Sequence, residues 1–347
     1  MLVKEDHRDL QTSTGPMRVY FYQPNLLEYP HAKFPARSYR QPRLDLSTGV
    51  VVFTEIYQVT GPLHRFCRQI ASQGYVVACN ESFHEFEVPG VVIPYDVEGA
   101  YIFGRGSYGS WGGWFRCLPT RPLTHANARI RPGTDRGNRY KVEKKLAAYD
   151  EDATLAIDAL VAHPNCNGKI GATEWMSSLM ISRAIIITIP YLAGMCLGGH
   201  LAFRMSPSNT FSPLPQAALD PRVLATVTYF ATDIHSRTLG KNLHDDSLER
   251  SGEIRGELLM IFGKQDTHVP RAGRDLIRGT LEEKGVTFSW CEYQAQHAFI
   301  RDELSKGRYD AALSKVCFDS LLELFHRKLY LDLGARAGEA VAAEHIC

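Results

Sequence analysis

The chain has eight cysteines but no Cys-x-x-Cys pair among them. That absence argues against a zinc ribbon, a thioredoxin-type redox motif or a dense disulfide framework. Cys67, Cys79, Cys117, Cys166, Cys196, Cys291, Cys317 and Cys347 are scattered. Several sit in apolar runs such as 75–79, where a free thiol behaves as a small hydrophobe, so a reducing compartment is expected. Charge of one sign is missing too. Lys+Arg number 39 against Asp+Glu 38, a formal net charge of +1, which leaves no global footprint for nucleic acid or an anionic membrane. No apolar run is long enough to span a bilayer. The most apolar stretch, Ala184 to Leu197, is short and broken by Pro190. The first ten residues are charged and carry no apolar centre, so they do not read as a signal peptide. Low-complexity tracts and internal repeats are also lacking. With 44% hydrophobic residues in 347, the expectation is a soluble, cytoplasmic, globular protein.

What is present alternates. Val50–Thr54 is a continuous apolar run, as a strand buried on both faces requires. Leu63, Phe66, Ile70 and Ala71 then recur at helical spacing, with Gly74 where a helix would end. Strands are expected at Tyr75–Cys79, Val223–Ala231, Glu257–Gly263 and Thr287–Tyr293. Helices are expected at Lys144–His163, Arg271–Lys284 and Tyr309–Lys328, the last turning Leu313, Val316, Leu321, Leu324 and Phe325 inward. Alternation of this kind predicts an α/β fold with a mostly parallel central sheet and helices on both faces.

One run carries chemistry. In Gly194-Met195-Cys196-Leu197-Gly198-Gly199, small residues flank a cysteine, as a nucleophile on a sharp strand-to-helix turn requires. A helix starting at Leu197 would favour a thiolate and offer N–H groups to an oxyanion. Taken alone, the run equally describes a glycine-rich turn around a packed cysteine. Order adds to it. Asp266 follows the strand ending at Gly263, and His297 follows the strand ending at Tyr293. Nucleophile, acid and histidine, each just past the C-terminal end of a strand, is the chain order of α/β-hydrolase sites. The plain alternatives are a helix-capping aspartate and a surface histidine. His84, His200, His235, His268 and His297 show no metal-ligand spacing, and neither a metal nor another cofactor is implied.

With Thr54–Gly61, Gly194–Gly199, Phe262–Pro270 and His297–Glu303 in view, the chain resembles the dienelactone hydrolase (carboxymethylenebutenolidase) family, in its fungal cytosolic branch. The resemblance covers most of the chain and implies an α/β-hydrolase fold and roles residue by residue. Cys196 attacks a lactone or ester carbonyl, His297 shuttles the proton and Asp266 orients the imidazole. Glu55 corresponds to a glutamate that interacts with the resting thiol. The N–H groups of Leu197 and Ile56 form the oxyanion hole, and Arg301 holds a substrate carboxylate. One departure stands out. Where bacterial members place a second arginine, this chain reads Asn80–Glu85, and an acid there would repel an acidic lactone. Two rival readings follow: a hydrolase of neutral esters or thioesters, and a catalytically impaired member that binds a ligand or partner. Fast alkylation of Cys196 near neutrality separates the last from an active enzyme. The oligomeric state stays open.

Against the family pattern the chain reads as one domain over 1–335 with a tail, 336–347, and four inserted stretches at 36–48, 100–132, 174–193 and 205–217. The four hold nine arginines, no lysine and two acids, Asp45 and Glu174. A share of acids in proportion to length would be about nine. This composition, and the clean return of family-like sequence beyond each stretch, point to translated introns rather than surface loops or a lid. Sequencing of the mature transcript is expected to show them absent; reads running intact through them overturn the idea. The third stretch separates the elbow from its family-like strand, Lys169–Thr173. Ala184–Ile189 is then the substitute strand, with Pro190 removing a ladder donor.

Overall fold

The computed structural model describes residues 2–25, 48–96, 132–166, 191–206 and 223–330. Among the described residues, eight strands form one sheet: β1 (Val3–Thr12), β2 (Gly15–Pro24), β3 (Gly49–Phe53), β4 (Val76–Asn80), β5 (Tyr191–Met195), β6 (Ala225–Tyr229), β7 (Glu257–Gly263) and β8 (Phe288–Tyr293). Their order across the sheet is β1-β2-β4-β3-β5-β6-β7-β8. β1 and β2 make an antiparallel hairpin and β2 runs antiparallel to β4. All other pairs are parallel. The helices are α1 (Gly61–Ala71), α2 (Pro132–Glu143), α3 (Leu146–Val161), α4 (Leu197–Arg204), α5 (Arg271–Glu283) and α6 (Ala311–Tyr330).

Strand alternation sorts the core into two layers. Val50, Val52, Val77, Cys79, Tyr191 and Ala193 pack with Leu63, Phe66 and Ile70 of α1 and Leu321, Leu324 and Phe325 of α6. Val51, Phe53, Val76, Ala78 and Leu192 face the opposite way, onto Ala153, Ile157 and Leu160 of α3 and Leu201 of α4. Because both faces are covered, the central strands read as unbroken apolar runs. The mostly parallel sheet with helices on both sides is the fold expected from the sequence. None of the described helices is long and apolar enough to cross a membrane.

Three differences have physical causes. The β1–β2 hairpin was not foreseen because β1 is a largely exposed, charge-rich edge strand without apolar alternation. In α6 the inward stripe is Cys317, Leu321, Leu324 and Phe325, whereas Val316 is 45% exposed; it lies one residue, about 100°, off that stripe. The strand before Cys196 is Tyr191–Met195, flanked in parallel by β3 and β6. Both strands proposed for that place, Lys169–Thr173 and Ala184–Ile189, fall outside the described residues. So do nearly all residues of the four inserted stretches and the tail. Tyr191–Ala193, assigned to the third stretch, instead lie in the middle of the sheet and are fully buried.

Candidate active site

The parallel strands deliver their C-terminal ends to one edge, where ligands of open α/β sheets bind. β5 ends at Met195, and Cys196 follows with φ 56° and ψ −118°. A non-glycine residue held at positive φ is uncommon and must be imposed by its surroundings. Here the Cys196 N–H donates to the Tyr229 carbonyl at 3.0 Å, and the Cys196 carbonyl accepts from the N–H groups of His200 and Thr232, both at 3.3 Å. The flanking glycines are required by space. A Cβ on Gly198 would lie 2.2 Å from the Phe53 carbonyl oxygen, and one on Gly194 would lie 2.1 Å from that of Gly198. The turn therefore seats α4 directly against the end of β3. Leu197, the first residue of α4, has an N–H with no acceptor within the helix.

Asp266 lies in the turn after β7, its N–H bonded to the Gly263 carbonyl at 3.1 Å. One carboxylate oxygen accepts from the backbone N–H groups of His268 (2.8 Å) and Val269 (3.2 Å). The other meets His297 Nδ1 at 2.7 Å. Burial opposes the Asp266 charge, but the bonds from His297, His268 and Val269 outweigh it and hold its pKa below the ordinary carboxylate value. His297 is buried after β8. Burial alone would favour its neutral form, yet the Cys196 sulfur beside it and the Asp266 carboxylate hydrogen-bonded to it raise its pKa to about 10. The imidazole is held further by Phe230, edge-on at 4.9 Å between centroids, and by His268 at 4.4 Å. Cys196, His297 and Asp266, predicted from chain order, thus form one connected line.

The segment after β3 runs beside the elbow, because Phe53 pairs with Gly194. Ile56 and Glu55 are buried in it. Gln58, at φ 69°, ties this segment to the one after β4, its side-chain oxygen accepting from the N–H groups of Ser82 (2.9 Å) and Phe83 (3.1 Å). The Glu55 carboxylate accepts a hydrogen bond from the Tyr95 hydroxyl and lies 3.8 Å from Arg301 Nη1. Arg301 is 5% exposed, stacks over the Tyr95 ring at 4.2 Å, and leaves its Nε without a hydrogen-bond partner. Glu55 is thus engaged with Tyr95 and Arg301.

Two residues at the site were not anticipated. Tyr95 lies just before the second inserted stretch, with no motif to mark it. Arg308 is half-buried near Arg301, Tyr57, Glu55 and Asp266; burial first, and Arg301 second, hold its pKa below the usual guanidinium value. Its spacing of seven from Arg301 in a polar loop was the only available signal.

Glu85 is engaged within the fold. Its carboxylate is bonded to the Lys144 ammonium, which also donates to Asp152 at 2.6 Å, while His84 Nε2 meets Asp152 at 3.0 Å. Lys144 is fully buried. A buried charge survives only when paired, and the Lys144 ammonium is shared between the Glu85 and Asp152 carboxylates. His84, Glu85 and Asp152 bring ligand-type atoms within 4.8 Å of one another, but Lys144 already supplies the cation there.

The sequence model of the Dienelactone hydrolase family matches residues 187–329. A Saccharomyces cerevisiae protein named "Putative carboxymethylenebutenolidase" is 41% identical over 353 aligned positions, covering 100% of both chains. Among solved structures, a dienelactone hydrolase-like promiscuous phosphotriesterase from metagenomic libraries superposes with a TM-score of 0.54 at 15% identity, over 94% of this chain and 98% of its own. Esterase 2 of Thermogutta terrifontis, phosphorylated by paraoxon, gives 0.51 at 14% identity, over 95% and 96%. At such identities these two structures speak to the fold alone.

Proposed function

The chain belongs to the dienelactone hydrolase family, and from that premise we propose that it opens a lactone or small carboxylic ester through a cysteinyl acyl-enzyme. The observation that carries the reading is the Cys196 elbow at φ 56°, beside a His297 that Asp266 holds at 2.7 Å.

The steps follow from those contacts. The thiol proton passes to His297, and the sulfur adds to the substrate carbonyl. The N–H groups of Leu197 and Ile56 receive the developing oxyanion. As the tetrahedral adduct collapses, the C–O bond to the alcohol breaks and the departing alkoxide takes the proton from His297. In a lactone that alcohol stays attached to the acyl group. Water then attacks the thioester, giving a proton to His297; the C–S bond breaks, and the sulfur recovers the proton as the acid leaves. Asp266 keeps the imidazole in the required tautomer throughout. Glu55 and Arg301 act as a pair beside the nucleophile: a substrate carboxylate that grips Arg301 competes with Glu55 and frees its carboxylate to move. Arg308 adds positive charge to that corner.

The test is direct. Rapid acid quench during turnover of an aryl ester, followed by peptide mass spectrometry, is expected to find the acyl group on the peptide containing Cys196. An acyl group on another residue, or none during a demonstrable burst, overturns the covalent route.

A further inference from the structure

The helix that carries the nucleophile is short. α4 has eight residues, all buried, fewer than an isolated helix needs to hold itself together. Its direction must come from what it touches. Its two polar side chains, His200 and Arg204, both end in the loop at 245–247. His200 Nε2 meets Asp245 Oδ2 at 3.0 Å and Ser247 Oγ at 3.1 Å. Ser247 Oγ donates to the other Asp245 oxygen at 2.6 Å, and Arg204 Nη1 reaches that oxygen at 3.1 Å and Asp246 at 2.5 Å. On its far side Arg204 grips Asp150 of α3 through two bonds, 2.7 and 2.9 Å. The His200 and Asp245 side chains are completely buried. Burial opposes the Asp245 charge, yet His200, Ser247 and Arg204 together bring its pKa down to about 2.

This cluster is not a second catalytic triad. Asp245 and Ser247 share one ring nitrogen of His200, and the other, Nδ1, is buried without a partner. No relay through the ring is possible. Its position suggests another use. The His200 N–H donates to the Cys196 carbonyl, so the residue sits one turn beyond the nucleophile, on the same helix that presents the Leu197 N–H.

Resting on the reading of Cys196 as nucleophile, we propose that His200 is a positioning residue. Its bonds to Asp245 and Ser247 fix α4, and with it the aim of the Cys196 sulfur and the Leu197 N–H. The Gly198 backbone has no room toward Phe53, so a released α4 could only move away from β3. A displacement of about 1 Å costs catalysis on the order of a hundredfold.

The experiment compares His200→Leu, His200→Gln, Ser247→Ala and Cys196→Ala with wild type. It follows nitrophenyl acetate turnover, the rate of Cys196 alkylation by iodoacetamide at one pH, and Tm. His200→Leu should lower kcat about tenfold or more with KM nearly unchanged, and slow alkylation with it. His200→Gln, whose amide can still donate to Asp245, should recover most of both. Ser247→Ala should act in the same direction more weakly. Wild-type kcat and alkylation in folded His200→Leu, whatever its Tm, overturn the inference. If that variant does not fold, wild-type kcat in Ser247→Ala together with a lowered Tm overturns it equally. Full turnover by Cys196→Ala would instead overturn the nucleophile assignment beneath it.

Discussion

Cys196→Ala is expected to lose ester and lactone hydrolysis by about ten-thousandfold or more while folding as the wild type does. Alanine keeps the Cβ, so it neither relieves nor worsens the φ of 56°, and the turn's backbone bonds to Tyr229, His200 and Thr232 are untouched. The fold should therefore be kept, with the loss of stability confined to what Cys196 lends to His297. The chemical loss is complete in kind, because no other side chain in the line could hold an acyl group next to His297. One spectroscopic consequence accompanies it. The Cys196 sulfur is one of the two groups that raise the His297 pKa to about 10, so NMR titration of His297 in the variant should show a lower midpoint. A panel of neutral and carboxylate-bearing esters and lactones checks the activity. Retention of wild-type rates would remove Cys196 from the mechanism.

The line Cys196–His297–Asp266 was legible in the sequence for two physical reasons. A nucleophile at positive φ needs glycine on both sides, which leaves a visible run, and parallel topology delivers the three residues in a fixed chain order. β7 and β8 were legible because β7 is buried on both faces and β8 ends at a clear polar loop. What could not be read depends on distances between segments remote in sequence. The fate of Glu85 is the clearest case. From the sequence it is an acid where an arginine was expected, and its influence follows from charge alone. In the fold it pairs with Lys144, 59 positions away, a cation that it shares with Asp152. Arg308 is the converse, an unremarkable loop arginine that folding brings into the company of Arg301 and Asp266. Glu55 stands between the two. Its place after β3 was correct, but whether it faces thiol or guanidinium depends on Tyr95, which no local pattern announces. The strand at Tyr191–Met195 was obscured by composition, since the stretch before Gly194 reads as foreign while its last two residues, Leu192 and Ala193, pair on both sides within the sheet.

Asp266→Asn should lower kcat by about a thousand- to ten-thousandfold with a much smaller change in KM. The amide is nearly isosteric, and its oxygen can still accept from the N–H groups of His268 and Val269, which the carboxylate meets at 2.8 and 3.2 Å. What then faces His297 Nδ1, 2.7 Å away in the wild type, is an NH2 group, which donates. The imidazole must answer with an unprotonated Nδ1, placing its proton on Nε2 and leaving no lone pair to accept the thiol proton. The variant should also change how stability depends on pH, and the sign can be worked out. The His297 pKa rises in the folded protein from the ordinary 6.5 to about 10. Its contribution is therefore fully present below about pH 6.5 and is lost as pH climbs through about 10. The Asp266 pKa is lowered on folding, so its contribution is present above the ordinary carboxylate value and is lost on acidification. Removing the carboxylate removes part of what raises His297. Urea unfolding across pH should then show an alkaline loss of stability that is smaller and complete at lower pH than in wild type, and a shallower loss on the acid side. Wild-type kcat in a folded Asp266→Asn, or an unmoved alkaline limb, would mean that Asp266 neither orients nor charges the imidazole.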